Sequence, residues 1–171
     1  LEGAAAVINL AGESLSDGRW SVRKRHRIRQ SRMRATMALV DALEHAERRP
    51  GVLLQGSAVG YYGDRGEERL TERAPPGDGF LAEVCQAWEG ASEPVERLGM
   101  RRACLRTGVV LSNEGGALPR MELPFRLFVG GPLGRGEQWV PWVHIRDAVR
   151  AVRFLLEHDQ ASGPFNLTAP N

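Results

Sequence analysis

Cysteine is scarce. This chain of 171 residues has two, Cys85 and Cys104, with no C-x-x-C spacing. That excludes a disulfide-stapled scaffold and a four-thiolate zinc site, and it fits a reducing, cytoplasmic setting. Long apolar runs are missing as well. None approaches the roughly 20 residues that cross a bilayer, so no membrane span is expected. The opening residues carry neither the basic nor the apolar stretch of a signal peptide. The histidines are scattered without H-x-x-x-H or H-E-x-x-H spacing, which gives a metal site no support. A P-loop is absent. The run Gly130-Gly131-Pro132-Leu133-Gly134-Arg135-Gly136 has the wrong spacing for G-x-G-x-x-G and leads into no predicted helix, so it reads as a flexible turn. The first residue is Leu1 and not Met, as in a piece of a longer protein.

What is present is ordinary globular composition, 42% hydrophobic and 26% charged residues. A chain of this length can own a core, and one domain is expected over residues 1–171. Charge is unevenly placed. Net charge is +2, yet Arg19 to Arg34 holds eight Lys/Arg and no Asp/Glu, leaving 15 basic against 21 acidic residues elsewhere. Such a segment contacts phosphate, nucleotide or nucleic acid, or it is a solvated helix face. Trp20 is its only aromatic, so the interleaved stacking residues of a nucleic-acid surface are lacking and no nucleic-acid partner is expected.

Ala4 to Leu10 is an apolar run ending at Ala11-Gly12, which predicts a buried strand feeding a turn. Ser21 is a plausible cap for a helix that ends before Pro50. Val52 to Val59 predicts a second buried strand, broken by Gly60-Tyr61-Tyr62-Gly63. Phe80 to Leu98 is patterned as one amphipathic helix. Ala103 to Leu111 predicts a third strand, Ile145 to Glu157 a helix, and Pro164 to Thr168 a last strand. Residues 117–143 read as irregular. Apolar strands alternating with helices predict an α/β fold, a three-layer parallel sheet. Its ligand-side lobe is expected at 114–143.

Gly56-Ser57-Ala58-Val59-Gly60 is not the G-x-S-x-G of a nucleophile elbow. A triad of Ser57, His144 and Asp147 would rest on residue types alone, and His144 and Asp147 equally suit a helix cap.

Asn9-Leu10-Ala11-Gly12 at the end of a buried strand resembles the fourth strand of the short-chain dehydrogenase/reductase fold. Gly56-Ser57-Ala58 with Tyr61-Tyr62-Gly63-Asp64 resembles the serine strand of the extended subgroup, and Thr71-Glu72 with Pro75-Pro76 its T-E…P loop. Arg106-Thr107-Gly108-Val109-Val110-Leu111, His144-Ile145-Arg146-Asp147-Ala148 and Phe165-Asn166-Leu167 follow in the matching order. With Ile28-Arg29-Gln30-Ser31-Arg32, Pro124-Phe125-Arg126-Leu127 and Pro141-Trp142-Val143-His144, the chain is most similar to the atypical, sugar-epimerase-like YfcH-type branch.

The resemblance implies a partial Rossmann-like NAD(P)-binding domain. Family members carry a glycine-rich pyrophosphate turn before N-L-A-G and a further region after the last strand. It implies NADP or NAD as cofactor, with a slight preference for NADP, and a small-molecule, sugar-like substrate. Leu10, Ala11, Gly12, Glu13 and Arg32 would contact the cofactor. A salt bridge across the sheet edge is an equal reading of Arg32 with Glu13. Ser57 would orient substrate. The family's Tyr-x-x-x-Lys pair falls on Phe80 and Val84, which carry neither hydroxyl nor ammonium. Tyr61 or Tyr62 would then be the proton donor, unless each only packs at the strand end. Arg126, Trp142 and His144 would contact substrate. Val140 stands where sugar-nucleotide members often have a diphosphate-clamping arginine, with Arg126 and Arg135 as substitutes. The apolar Phe125, Phe128, Trp139 and Trp142 suit a flatter, less charged ligand.

Three functions follow as expectations. The first is an NAD(P)-dependent oxidoreductase or nucleoside-diphosphate-sugar epimerase-like protein, transferring hydride at a hydroxyl-bearing carbon. The second is a non-catalytic dinucleotide-binding protein, a sensor or assembly partner. The third is a polyanion-binding module using residues 19–34. A homodimer stays open.

Overall fold

The computed structural model describes residues 2–132, 134 and 136–170. Seven strands and five α-helices follow in chain order: β1 (Ala6–Asn9), α1 (Val22–Glu44), β2 (Val52–Ala58), α2 (Phe80–Ser92), α3 (Pro94–Arg97), β3 (Arg101–Thr107), β4 (Val109–Ser112), β5 (Gly115–Gly116), α4 (Leu118–Arg126), β6 (Trp142–His144), α5 (Ile145–Glu157) and β7 (Gly163–Leu167). A 3-10 turn at Val59–Tyr62 follows β2.

Four strands form one parallel sheet in the order β1-β2-β3-β7. Alternation along β2 explains the layering, because successive side chains leave opposite faces. Val52 and Leu54 join Ala103, Leu105 and Leu155 in a core beneath α5. Leu53 joins Val40, Leu43 and Val95 in a second core beneath α1 and α3. Both faces are covered, which is why β2 is buried from Val52 to Ser57. This is the predicted three-layer α/β arrangement. Ser21 caps α1 as expected, its hydroxyl accepting the Lys24 N–H. Among the described residues no helix is long and apolar enough to cross a membrane.

Three sequence expectations need correction. The predicted helix over 80–98 is two helices, because Pro94 has no N–H to continue the ladder. The predicted strand over 103–111 is divided at Gly108 between two sheets. Its β4 half pairs with β5 and, in parallel, with β6. A Cβ on Gly108 would lie 2.7 Å from the Pro141 carbonyl oxygen, so only glycine permits this approach. Residues 117–143 are not uniformly irregular, since they hold α4 and most of β6. Leu133 and Arg135 of the glycine-rich run lie outside the described residues.

Candidate functional site

The carboxyl ends of β1 and β2 open toward the loops that precede α1 and α2. In open parallel sheets this edge is where ligands bind. Two clusters stand there.

The first is built on Arg106, a buried cation near the carboxyl end of β3. Its Nε and Nη2 each donate to Glu89 of α2 at 2.9 Å. Its Nη1 donates to the Tyr62 hydroxyl at 3.0 Å and to the Glu72 carbonyl at 3.1 Å. The guanidinium lies 3.5 Å from the Tyr61 ring centroid. Ser57, at the end of β2, donates to Glu89 Oε1 at 2.6 Å. Tyr62 donates to Asn166 Oδ1 at 2.6 Å, and Asn166 takes its place through Glu72 and Leu70. Every fully buried side-chain polar atom of this group has a partner, as a charge held in low dielectric requires. The bidentate Glu89 and the Tyr62 oxygen outweigh the cost of burial and push the Arg106 pKa up.

The three predicted catalytic residues are therefore brought together, but they are not equivalent. Tyr62 is buried and its proton is committed to Asn166. Tyr61 is half-buried, and its hydroxyl has no hydrogen-bond partner among the described residues. The Ser57 proton is directed at a carboxylate, so its remaining lone pairs are those of an acceptor.

The face of α2 toward Ser57 differs from the predicted one. Leu81 and Cys85 lie against Gly60, and the Cys85 thiol meets Ser57 and the Ala58 backbone. Phe80 instead packs edge-on against Trp20 and beneath Arg25. Helical spacing then puts Leu81, Cys85 and Glu89 on one stripe. Neither Leu81 nor Cys85 can supply a phenol or an ammonium. The chain's only lysine, Lys24, is buried against Glu13 at 2.9 Å.

The second cluster surrounds the loop after β1. The Glu13 N–H donates to Ser31 Oγ at 2.9 Å, and its carboxylate meets Lys24 and, at 3.3 Å, Arg27. The Lys24 hydrogen bond holds the Glu13 carboxyl below its ordinary value. Arg32 donates from Nη1 to the Glu13 carbonyl at 3.1 Å and to the Ile28 carbonyl at 3.0 Å. Gly12 lies so close that a Cβ there would meet Arg32 Cζ at 2.9 Å. Leu10, beside Ala11, is 64% exposed. Behind them Asn9 donates to Thr36 and Gln55, and Trp88 Nε1 also donates to Thr36.

The predicted substrate contacts are dispersed. Arg126 pairs with Glu122 of its own helix and borders an open groove of about 530 Å³ with Leu118, Met121 and Phe125. Trp142 and His144 share one face of β6. His144 caps α5 by accepting the Arg146 N–H, and Asp147 pairs with Arg150. With Ser57 bound to Glu89, the Ser57, His144 and Asp147 triad does not exist. Phe128 and Trp139 are mainly exposed rather than enclosing a pocket. Arg135 lies outside the described residues. Glu89, Glu72 and Asn166 escaped sequence reasoning as site residues. The signal was a carboxylate on the apolar side of α2.

With that geometry in place, comparison with known proteins is direct. The model of the NAD dependent epimerase/dehydratase family matches residues 1–168. An epimerase family protein of Staphylococcus epidermidis is 45% identical over 166 residues, covering 96% of this chain and 55% of that protein. The human epimerase family protein SDR39U1, isoform 2, crystallised with NADPH, superposes with a TM-score of 0.92 at 34% identity, over 100% of this chain and 59% of that one. A nucleoside-diphosphate sugar epimerase of Corynebacterium glutamicum gives 0.85 at 39% identity, over 99% and 35%. The chain thus spans about half the length of the curated relatives it matches.

Proposed function

The chain belongs to the NAD dependent epimerase/dehydratase family, and from that premise we propose that it is the catalytic-side portion of an NAD(P)-dependent oxidoreductase or epimerase. The reaction is hydride transfer at a hydroxyl-bearing carbon of a sugar-like small molecule. The observation that carries this reading is the convergence of Ser57, Tyr61 and Tyr62 on the Arg106–Glu89 pair at the carboxyl end of the parallel sheet.

The dinucleotide, NADP or NAD, supplies the hydride acceptor when bound. The residues present suit its nicotinamide half: the exposed Leu10 and Ala11 give an apolar platform, and Gly12 lets the backbone approach closely. Glu13 fixes this loop to α1, and Arg32 adds a cation beside it. Ser57, held by Glu89, accepts a hydrogen bond from the substrate hydroxyl and orients it. Tyr61, with its free phenol over Arg106, exchanges the substrate proton, while Tyr62 holds Arg106 in place. Residues 114–143 form the substrate-side lobe, where Arg126, Trp142 and His144 contact the ligand. The human relative's NADPH gives the slight preference for NADP.

A second reading has an observation of its own. Leu81 and Cys85 face Ser57 where the family's proton relay would stand, and no lysine is free. That favours a dinucleotide-binding protein without turnover. One experiment separates the two. The full-length protein is titrated with NADP+ and NAD+, then assayed with a panel of nucleoside-diphosphate sugars and simple carbinols, both for reduced nicotinamide (net oxidation) and for epimerised product (hydride returned within the cycle). Turnover that falls at least about tenfold in Ser57→Ala and Tyr61→Phe supports catalysis. Binding without turnover supports the second reading. Turnover unchanged in both variants refutes the residue assignment.

A further inference from the structure

We propose that Arg32 is a receptor for an oxyanion, a phosphate or carboxylate group held side-on by its Nε–Nη2 edge. The inference deepens the cofactor-side reading of Arg32 and rests on the same crevice.

A guanidinium has five N–H donors in a rigid plane. Arg32 uses Nη1 for two backbone carbonyls, Glu13 and Ile28. No described residue accepts from Nε or Nη2, yet no side-chain nitrogen of the described structure is both buried and unpartnered. The remaining edge is therefore open to solvent, and it has the spacing of a carboxylate or of two phosphate oxygens.

The plane is also fixed. Arg32 sits 4.8 Å from the Trp88 ring centroid, and Gly12 borders its other atoms. A fork held in this way loses little freedom on binding.

Charge completes the case. Among the described residues no carboxylate forms an ion pair with this half-buried cation, although the Glu13 charge is felt nearby. Glu13 is taken by Lys24 and Arg27, and Glu89 by Arg106 and Ser57. Burial pushes the Arg32 pKa down, the sign of a desolvated cation lacking a full counter-charge. Arg23, Arg25 and Arg29 on the same helix add positive field. Arg32 lies over Trp88, and the same indole borders Gly56 beside Ser57, which puts the receptor near the proposed reaction centre.

The oxyanion can come from the dinucleotide or from the substrate. The test uses calorimetric titration of the full-length protein with malonate, inorganic phosphate and NADP+, in wild type, Arg32→Lys and Arg32→Gln. Circular dichroism confirms that each variant folds. Arg32→Lys keeps the charge and loses the fork. The expected result is a Kd for the anion raised about ten- to a hundredfold in both variants, the worth of a charge-assisted pair of hydrogen bonds. If saturating NADP+ displaces malonate and the NADP+ Kd rises too, the oxyanion is the cofactor's. If malonate binds the NADP+-loaded protein and the NADP+ Kd is unchanged, it is the substrate's. A protein that binds malonate through Arg32 but never binds NADP+ sinks the proposed function and leaves this inference standing. Absence of anion binding in wild type, or Kd values within about twofold in both variants, overturns it.

Discussion

Replacing Arg106 by alanine is the sharpest available test of the buried network. Its side chain is 4% exposed and that of Glu89 is 12% exposed, so neither charge can turn to solvent. The substitution removes two bonds to Glu89, one to Tyr62 and one to the Glu72 carbonyl. It leaves a carboxylate whose one side-chain donor in this network is Ser57. Removing one partner of such a pair costs about 3–5 kcal/mol, most of it the penalty of the stranded charge. In a protein of this size each kcal/mol moves the melting temperature by about 2–4 °C, so a fall of roughly 6–20 °C is expected. Arg106→Lys keeps the charge, but one ammonium cannot span both Glu89 oxygens, and a loss of about 1.5–3 kcal/mol is expected. The assay is urea unfolding of the full-length protein followed by tryptophan fluorescence and far-ultraviolet dichroism. The double variant Glu89→Leu/Arg106→Met should cost clearly less than the sum of its singles, because no charge is left alone. A cost below about 1 kcal/mol for Arg106→Ala, or strict additivity in the cycle, refutes the reasoning.

Other perturbations probe other parts. A Cβ on Gly56 would meet Trp88 Cη2 at 2.8 Å and the Asn9 carbonyl oxygen at 2.9 Å, so Gly56→Ala should destabilise by about 1–3 kcal/mol in the same unfolding assay. Thr36→Val keeps the shape and removes the acceptor shared by Asn9 and Trp88, with a loss of about 1–3 kcal/mol. Burial pushes the Cys104 thiol up to about 11, against the lowering pull of Arg102. Its folded-state value is above the unfolded one, so this stability is whole below the unfolded value and is lost as pH rises toward about 11, by roughly 3 kcal/mol. Urea unfolding across that alkaline range should show a flatter decline in Cys104→Ala than in wild type. Iodoacetamide should also leave Cys104 unmodified near neutral pH until the protein unfolds.

Much of the parallel sheet was legible, because fully buried strands open on short apolar runs and Val52 to Leu54 is such a run. The helix over Ile145–Glu157 was legible to its ends, since its apolar stripe and capping His144 agree. The division at Gly108 was not. Val109 to Leu111 continues the apolar pattern of β3, and only the Pro141 carbonyl, distant in sequence, forces the change of sheet. Ser57 and Tyr62 were legible as neighbours of one another at the end of β2. Their bond partners were not, since Glu89 and Asn166 lie 32 and 104 positions away. The face that α2 turns to Ser57 was not legible for a related reason: composition cannot tell whether Phe80 turns toward the serine or toward Trp20.

Gly108 joins the two sheets more firmly than a linker would. Its N–H donates to the Leu167 carbonyl, Val109 donates to Pro141, and Ala169 donates to Trp142, so three distant stretches are stitched at one point. Such a knot transmits torque. The smaller sheet cannot swing on the larger one as a door does.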